Sequence, residues 1–152
     1  MSIMKKQTKV SLFLLLLVLV IGFALGHIPV EMVCPFLDDT SAISAVQLEF
    51  DTGRHSTWYS LSDPAQIDVL CSFFEDVHLR LSEPFFHGIK YGDSNGENNV
   101  RLIGISFGNA KNHIFLKNDG SIYTSSYGYK ANGSNISELY QYLMNTYYAL
   151  AE

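Results

Sequence analysis

The chain has 152 residues, 47% of them hydrophobic, and carries 15 Asp or Glu against 10 Lys or Arg, for a formal net charge of −5. Three of the lysines precede residue 10, so the part after residue 26 has 7 basic against 15 acidic side chains. This acidic excess argues against nucleic acid, anionic lipid and polyanionic polymers as partners. The 126 residues after position 26 suffice for one domain with a hydrophobic core and not for two.

An uncharged, apolar segment at residues 10–26 follows the three N-terminal lysines. A helix of its 17 residues nearly crosses a hydrocarbon core about 30 Å thick. No basic residue follows until Arg54, which favours a cytoplasmic N-terminus and a domain outside the cell membrane. Ala24-Leu25-Gly26 is also a small-x-small cleavage site. We therefore expect residues 1–26 to be a single-pass membrane anchor or, alternatively, a signal peptide cleaved after Gly26 to release a secreted domain.

Two cysteines, Cys34 and Cys71, lie in the part expected to be exported, where disulfides persist. A bond between them would close a loop of 37 residues and stabilise the fold by roughly 3–4 kcal/mol on the chain-entropy model. The alternative is that both are small apolar core residues, because Cys71 falls on the apolar stripe of a predicted helix. The sequence leaves both interpretations open.

The first half of the exported part is predicted to contain a leader, a hairpin and a helix. Residues 27–42, with two prolines and an acidic pair, are predicted to be a leader or stalk before a domain at residues 43–152. Alternating apolar residues in AVQLEF and HSTWYSL predict a β-hairpin at residues 43–61. A helix capped by Asp63 is predicted from Pro64 to Leu81. Its apolar stripe comprises Ile67, Leu70, Cys71, Phe74, Val77 and Leu81.

The second half is predicted to contain three strands and a helix. Residues 82–99 form a polar connection with a candidate short strand at residues 87–91, and the strands VRLIGISF, HIFLK and SIYTSSYGY follow. The closing helix is ISELYQYLMNTYYAL, in which Asn135 can cap and Glu138 can complete a capping box. Tight turns imply antiparallel strands. The predicted fold is two-layer α+β in the order ββαβββα, with an antiparallel sheet of about five strands and both amphipathic helices on one face.

The hairpin FLKNDGSIY predicts an aromatic surface. If Asn118-Asp119-Gly120 form a three-residue loop with Gly120 left-handed, Leu116 and Ile122 share the core face. By alternation, aromatic residues then point to the opposite side, together with His113. This surface is typical of a partner site, unless the leader or residues 82–99 cover it, or a two-residue turn moves Tyr123 into the core. The candidates for partner binding are Phe115, Tyr123, Tyr127 and Tyr129.

The sequence contains no recognisable motif for catalysis, a cofactor or a metal. Its five histidines lack the short spacings of zinc sites. No Gly-flanked serine motif, Cys-His signature or phosphate-binding glycine loop is present. We therefore expect a protein that is not an enzyme and has no cofactor, no metal site and no nucleic-acid partner. A hydrolase whose site is assembled from distant segments is an alternative.

Four features together characterise the domain: the hairpin ending in TWYSLSDPAQID, the capped helix after it, the GSIYTSSYGY strand and the tyrosine-rich closing helix. In these features the chain resembles small exported or membrane-tethered domains of unknown function from Gram-positive bacteria, over residues 43–150. The resemblance implies an extracytoplasmic location and implies no catalytic residues. The resulting hypothesis is a non-catalytic tethered domain that binds a protein or other envelope partner through the aromatic surface. The alternative is an inhibitor or immunity module against an exported enzyme.

Overall fold

The computed structural model describes residues 13–18, 20–22, 26–83, 100–108, 112–124 and 127–151. Within these residues the fold is mixed α+β, with one antiparallel sheet and few helices. The strands are β1 (Ile28–Pro29), β2 (Val46–Asp51), β3 (Ser56–Leu61), β4 (His78–Glu83), β5 (Leu102–Phe107), β6 (His113–Leu116), β7 (Ser121–Tyr123) and β8 (Gly128–Ala131). The helices are α1 (Val30–Val33), α2 (Pro64–Ser72) and α3 (Asn135–Tyr147), with 3₁₀ turns at Pro35–Leu37, Thr40–Ala42 and Tyr148–Leu150.

The sheet has eight strands in the order β1-β4-β8-β7-β6-β5-β2-β3. Residues directly opposite each other in antiparallel strands point to the same side. One side, which we call the core face, carries Leu48, Ile105 and Ile114 as neighbours across β2, β5 and β6. These residues form one buried cluster with Leu70 of α2 and Leu143 of α3. Both helices therefore pack on the core face, and we call the opposite side the outer face.

The predicted helix from Pro64 to Leu81 is wrong in its second half. Asp63 caps α2 as predicted, since its carboxylate accepts a hydrogen bond of 3.0 Å from the N–H of Ala65. However, α2 ends at Ser72, and a turn containing Asp76, with φ of 57°, leads into β4. Val77 and Leu79 are buried while His78 and Arg80 are exposed, which is the period of a strand. Val77 and Leu81 are four residues apart, so they also fitted a helical stripe.

The prediction of about five strands is wrong because three strands were not anticipated. One is β4, and another is β1, a two-residue strand within the leader that pairs with β4. The third arises because SIYTSSYGY forms two strands, β7 and β8, rather than one. The N–H of Thr124 donates to the carbonyl of Tyr127 at 3.0 Å and closes the turn between them. The candidate strand at residues 87–91 lies outside the described residues.

The closing helix begins at Asn135, one residue before the predicted start at Ile136, so Asn135 is not its cap. Ser134 is the N-cap residue, and its hydroxyl donates to a carboxylate oxygen of Glu138 rather than accepting from the backbone. The predicted apolar stripe is buried, namely Ile136, Leu139, Tyr140, Leu143 and Tyr147.

The N-terminal segment is helical where the structure describes it, at residues 13–18 and 20–22. The large apolar side chains of these described residues are exposed, among them Phe13, Leu16 and Ile21. Among the described residues, no helix has both the length and the apolar character needed to cross a membrane.

Candidate functional site

A groove of about 410 Å³ lies between the leader and the neighbouring ends of β6 and β8. Residues 32–36 form one wall, and Asn112, His113, Thr124 and Tyr127 contribute to the other. None of the described lining residues is Asp, Glu, Lys or Arg, although the domain as a whole is acidic. The volume lies within the range of about 300–1,000 Å³ that is typical of ligand sites. We call this feature the tyrosine groove.

The leader wall of the groove is firmly attached to the domain. The N–H of Val30 donates to the carbonyl of Val77 at 3.0 Å, next to the pairing of β1 with β4. Val30 and Cys34 belong to the core cluster, and the ring of Phe36 packs on that of Phe107 with centroids 5.0 Å apart. The leader is thus part of the domain core and supplies one wall of a preformed groove.

Two of the four predicted partner residues, Tyr127 and Tyr129, line the groove. Tyr127 is 45% exposed, and its ring centroid lies 6.3 Å from that of Tyr129. Tyr129 is only 8% exposed and lies directly opposite Ile122, on the core face. The expectation that Tyr129 points away from the core is therefore wrong. Alternation was counted through SIYTSSYGY as one strand, and the turn between β7 and β8 interrupts that count.

The other two predicted residues, Phe115 and Tyr123, lie opposite each other on the outer face, as predicted. The expected three-residue loop sets this register, with Gly120 at φ of 78° and the N–H of Lys117 bonded to the carbonyl of Ser121 at 3.0 Å. Tyr123 is nevertheless only 4% exposed, and the ammonium of Lys117 lies 5.3 Å from its ring centroid. The four aromatic residues therefore form two separate pairs rather than one surface.

A row of polar side chains, which we call the polar row, crosses the outer face from β3 to β6. Ser56 donates to Oε1 of Glu49 at 2.7 Å, and the hydroxyl of Ser106 shares a hydrogen bond of 2.6 Å with Nδ1 of His113. Gly104 separates the two pairs, since a Cβ at this position would lie 3.3 Å from Oε2 of Glu49 and 3.2 Å from Nε2 of His113. That Nε2 is buried and has no hydrogen-bond partner.

His113 connects the polar row to the groove. It lines the groove, and its ring centroid lies 4.3 Å from that of Phe115. Burial lowers the pKa of His113, and the nearby carboxylate of Glu49 opposes this by raising it. The net shift is downward, so the neutral imidazole is favoured. Sequence reasoning placed His113 on this side of the sheet but missed its partners. The available signals were a glycine and a serine inside the otherwise apolar strand LIGISF.

Both cysteines are buried free thiols, so the structure shows no bond between Cys34 and Cys71, which was one of the two interpretations left open by the sequence. Burial, and secondarily Glu31, raises the pKa of Cys34 to about 12. Burial, and secondarily Asp68, raises the pKa of Cys71 to about 11. Because the thiolate is the reactive form, neither residue is suited to act as a nucleophile. Both belong to the core cluster, in line with the alternative that they are small apolar residues.

No group of three or more His, Cys, Asp or Glu side chains is arranged for a metal ion in the part of the chain that the structure describes. The metal-free, cofactor-free and non-catalytic expectations stay predictions. No protein-family model, no curated protein and no solved structure matches the chain. Function must therefore be inferred from the groove and the polar row themselves.

Proposed function

We propose that the protein is a membrane-tethered extracytoplasmic domain that binds an envelope protein in the tyrosine groove. The observation that carries this proposal is the groove itself, a preformed cleft beside a tyrosine that is 45% exposed. Exposed aromatic side chains beside a cleft are frequent anchors of protein interfaces.

The groove favours a partner segment that is uncharged and at least partly apolar. Its leader wall presents Met32, which is 75% exposed, and methionine adapts its shape to different partners. The opposite wall offers the side chains of Asn112 and Tyr127, which can hydrogen-bond to a peptide backbone. A charged side chain in the groove would lose hydration without an opposite charge among the described lining residues.

The tether is supported by the apolar N-terminal segment. Its described residues are helical and expose large side chains, including Phe13, Leu16 and Ile21. Exposing a continuous apolar surface to water is unfavourable, whereas lipid accommodates it. Three lysines before the segment favour the orientation with the domain outside.

The test is site-specific photocrosslinking of the full chain in its own host. A photoreactive phenylalanine analogue replaces Met32 in the groove or, as a matched control, Trp58, which is 41% exposed at the other end of the sheet. We expect one dominant adduct in the membrane fraction from position 32, lost when Tyr127→Ser is added. The same adduct from position 58, or an adduct that survives Tyr127→Ser in a folded variant, would remove the groove as the binding site.

The same experiment separates the alternatives for tethering and for partner class. Full-length protein confined to membranes supports an anchor, whereas a species in the medium that begins at His27 identifies a secreted domain. If the adduct contains a single exported enzyme and the domain lowers the activity of that enzyme, the protein is an inhibitor or immunity module.

A further inference from the structure

We infer that the polar row is a proton-operated switch that regulates the tyrosine groove. On protonation of His113, Glu49 moves across the gap over Gly104 to pair with it, and the movement is passed along β6 to the groove residues on either side of His113. Only the effect on binding depends on the proposed function, because the switch itself is a property of the outer face.

The starting state is defined by the contact between Ser106 and His113. The N–H of Phe107 donates to the carbonyl of Asn112 at 2.8 Å, so these two residues form a hydrogen-bonded pair across β5 and β6. The next pair, Ser106 with His113, is then of the closely spaced kind, in which side chains lie nearer to each other. This spacing accounts for the hydrogen bond of 2.6 Å that holds Nδ1.

The Nε2 side of the His113 ring borders a gap that exists because residue 104 is glycine and has no Cβ. Nε2 of His113 has no partner, although a buried polar atom without one is unusual. Oε1 of Glu49 is held by Ser56, whereas Oε2 borders the gap over Gly104. Since a Cβ at position 104 would be within 3.3 Å of both Nε2 and Oε2, any larger residue would occupy the space between them.

Protonation changes what the ring requires. Both nitrogens of an imidazolium carry hydrogens, so Nδ1 donates to Ser106 and the Ser106 hydroxyl turns its own proton elsewhere. Nε2 then needs an acceptor, because an unpaired buried charge is costly. Oε2 of Glu49 is the acceptor that borders the same gap. A modest rotation of the Glu49 side chain about the Ser56 contact would form the ion pair.

The other titratable groups that face His113 do not compete in this pH range. Among the residues that line the groove with His113 they are the thiol of Cys34 and the phenols of Tyr127 and Tyr129, and on the neighbouring strand β7 the phenol of Tyr123. Thiols and phenols are neutral under mildly acidic conditions. Among the described residues, Glu49 on β2 is the charge that acts on His113.

The switch reaches the groove because His113 belongs to both. Its ring packs on Phe115 on the outer face, and its chain neighbours Asn112 and Ile114 line the groove, so a shift of this stretch of β6 displaces the groove wall. A partner segment that fits the preformed groove would then meet a displaced wall. We therefore expect weaker binding at mildly acidic pH, where histidine is the side chain that titrates.

The single tryptophan of the chain provides a direct readout, because Trp58 lies opposite Glu49 on the outer face. The full chain in detergent is titrated from about pH 8 to about pH 5 while Trp58 emission is recorded. We expect a sigmoidal change with a midpoint below 6.5, the ordinary value for histidine. His113→Gln and Gly104→Ala should each abolish the change, the first by removing the charge and the second by filling the gap.

The matched control is His55→Gln, an exposed histidine in the turn of the hairpin that carries Trp58, which should leave the change intact. Circular dichroism at both ends of the titration separates the switch from acid unfolding. No change in the unmodified chain, or a change that survives His113→Gln, would overturn the switch whatever the protein binds. If Gly104→Ala does not fold, His113→Gln decides alone.

Photocrosslinking from position 32 at both pH values then tests the coupling. A several-fold weaker adduct at low pH that becomes pH-independent in His113→Gln supports regulation of the groove. An intact fluorescence change with an unchanged adduct would overturn that regulation and leave the proposed function standing. Loss of the adduct at every pH would count against the proposed function and not against the switch.

Discussion

The hydroxyl of Tyr140 donates a hydrogen bond of 3.0 Å to the carbonyl of Val100, and this contact joins the middle of α3 to the chain just before β5. Both residues are buried. Burial, and secondarily Tyr148, raises the pKa of Tyr140 to about 12, so the phenol keeps its proton. The contact therefore supplies the carbonyl of the buried Val100 with a hydrogen-bond donor.

We expect Tyr140→Phe to lower the free energy of unfolding by about 1–3 kcal/mol, because a buried carbonyl loses its donor while the ring remains in place. Urea unfolding followed by circular dichroism measures this change. Tyr127→Phe is the control, since Tyr127 is exposed, and it should stay within about 0.5 kcal/mol of the unmodified protein. Equal effects of the two substitutions would show that the Tyr140 contact does not stabilise the fold.

Because β4 is a strand, substitutions at two adjacent residues should lower the free energy of unfolding by very different amounts. Leu79 is fully buried, so Leu79→Ala should lower the free energy of unfolding by about 2–5 kcal/mol. Arg80 is exposed on the other side of the strand, so Arg80→Ala should cost less than about 0.5 kcal/mol. Denaturant unfolding of both variants provides the comparison. If Leu79→Ala were as harmless as Arg80→Ala, the alternation seen from Val77 onward would not exist.

The two cysteines should behave as protected thiols. In the native protein at about pH 8 we expect both to react slowly with a disulfide reagent, and Cys34 more slowly than Cys71, because Cys34 has the higher pKa and the deeper burial. In denaturant without reductant, two thiols per chain should react rapidly. Cys71→Ser assigns the faster phase. Fewer than two reactive thiols in the denatured, unreduced protein would reveal a bond that the structure lacks.

Asp119 should contribute to the acid sensitivity of the fold. Burial tends to raise the pKa of its carboxyl, but hydrogen bonds from Ser121 and the charge of Lys130 outweigh this and lower it. A carboxyl whose pKa is lowered on folding stabilises the protein at any pH above its ordinary pKa. This stabilisation disappears as the pH falls through the pKa of the folded state.

We therefore expect Asp119→Asn to lower the Tm at neutral pH but to show a smaller loss of Tm between about pH 5 and about pH 2. Thermal unfolding followed by circular dichroism measures both effects. Asp38→Asn, at an exposed position of the leader, should keep the acid sensitivity of the unmodified chain. If Tm fell with pH in Asp119→Asn as steeply as in the unmodified chain, the contact with Lys130, at 3.3 Å, would not stabilise the carboxylate.

Elements whose signals lie within a few residues were predictable from the sequence. The cap at Asp63, the loop that ends with left-handed Gly120, the pairing of Leu116 with Ile122 and the buried stripe of α3 all have this property. In each case the conformation depends on a glycine, a capping side chain or a spacing that the local sequence contains. The division into a sheet and covering helices follows from the same local patterns.

Features that depend on register or on distant packing required the tertiary structure. The turn between β7 and β8 decides that Tyr129 faces the core, and core burial makes His78–Glu83 a strand rather than the end of a helix. The leader becomes a groove wall because Val30 and Cys34 find space in the core. Glu49 and His113 border the same gap over Gly104 although they lie 64 positions apart in the chain. The sequence by itself thus determined the local elements and the apolar N-terminal segment. Only the fold decided which side chains share a site, because cross-strand neighbours are set by register and by competition for burial.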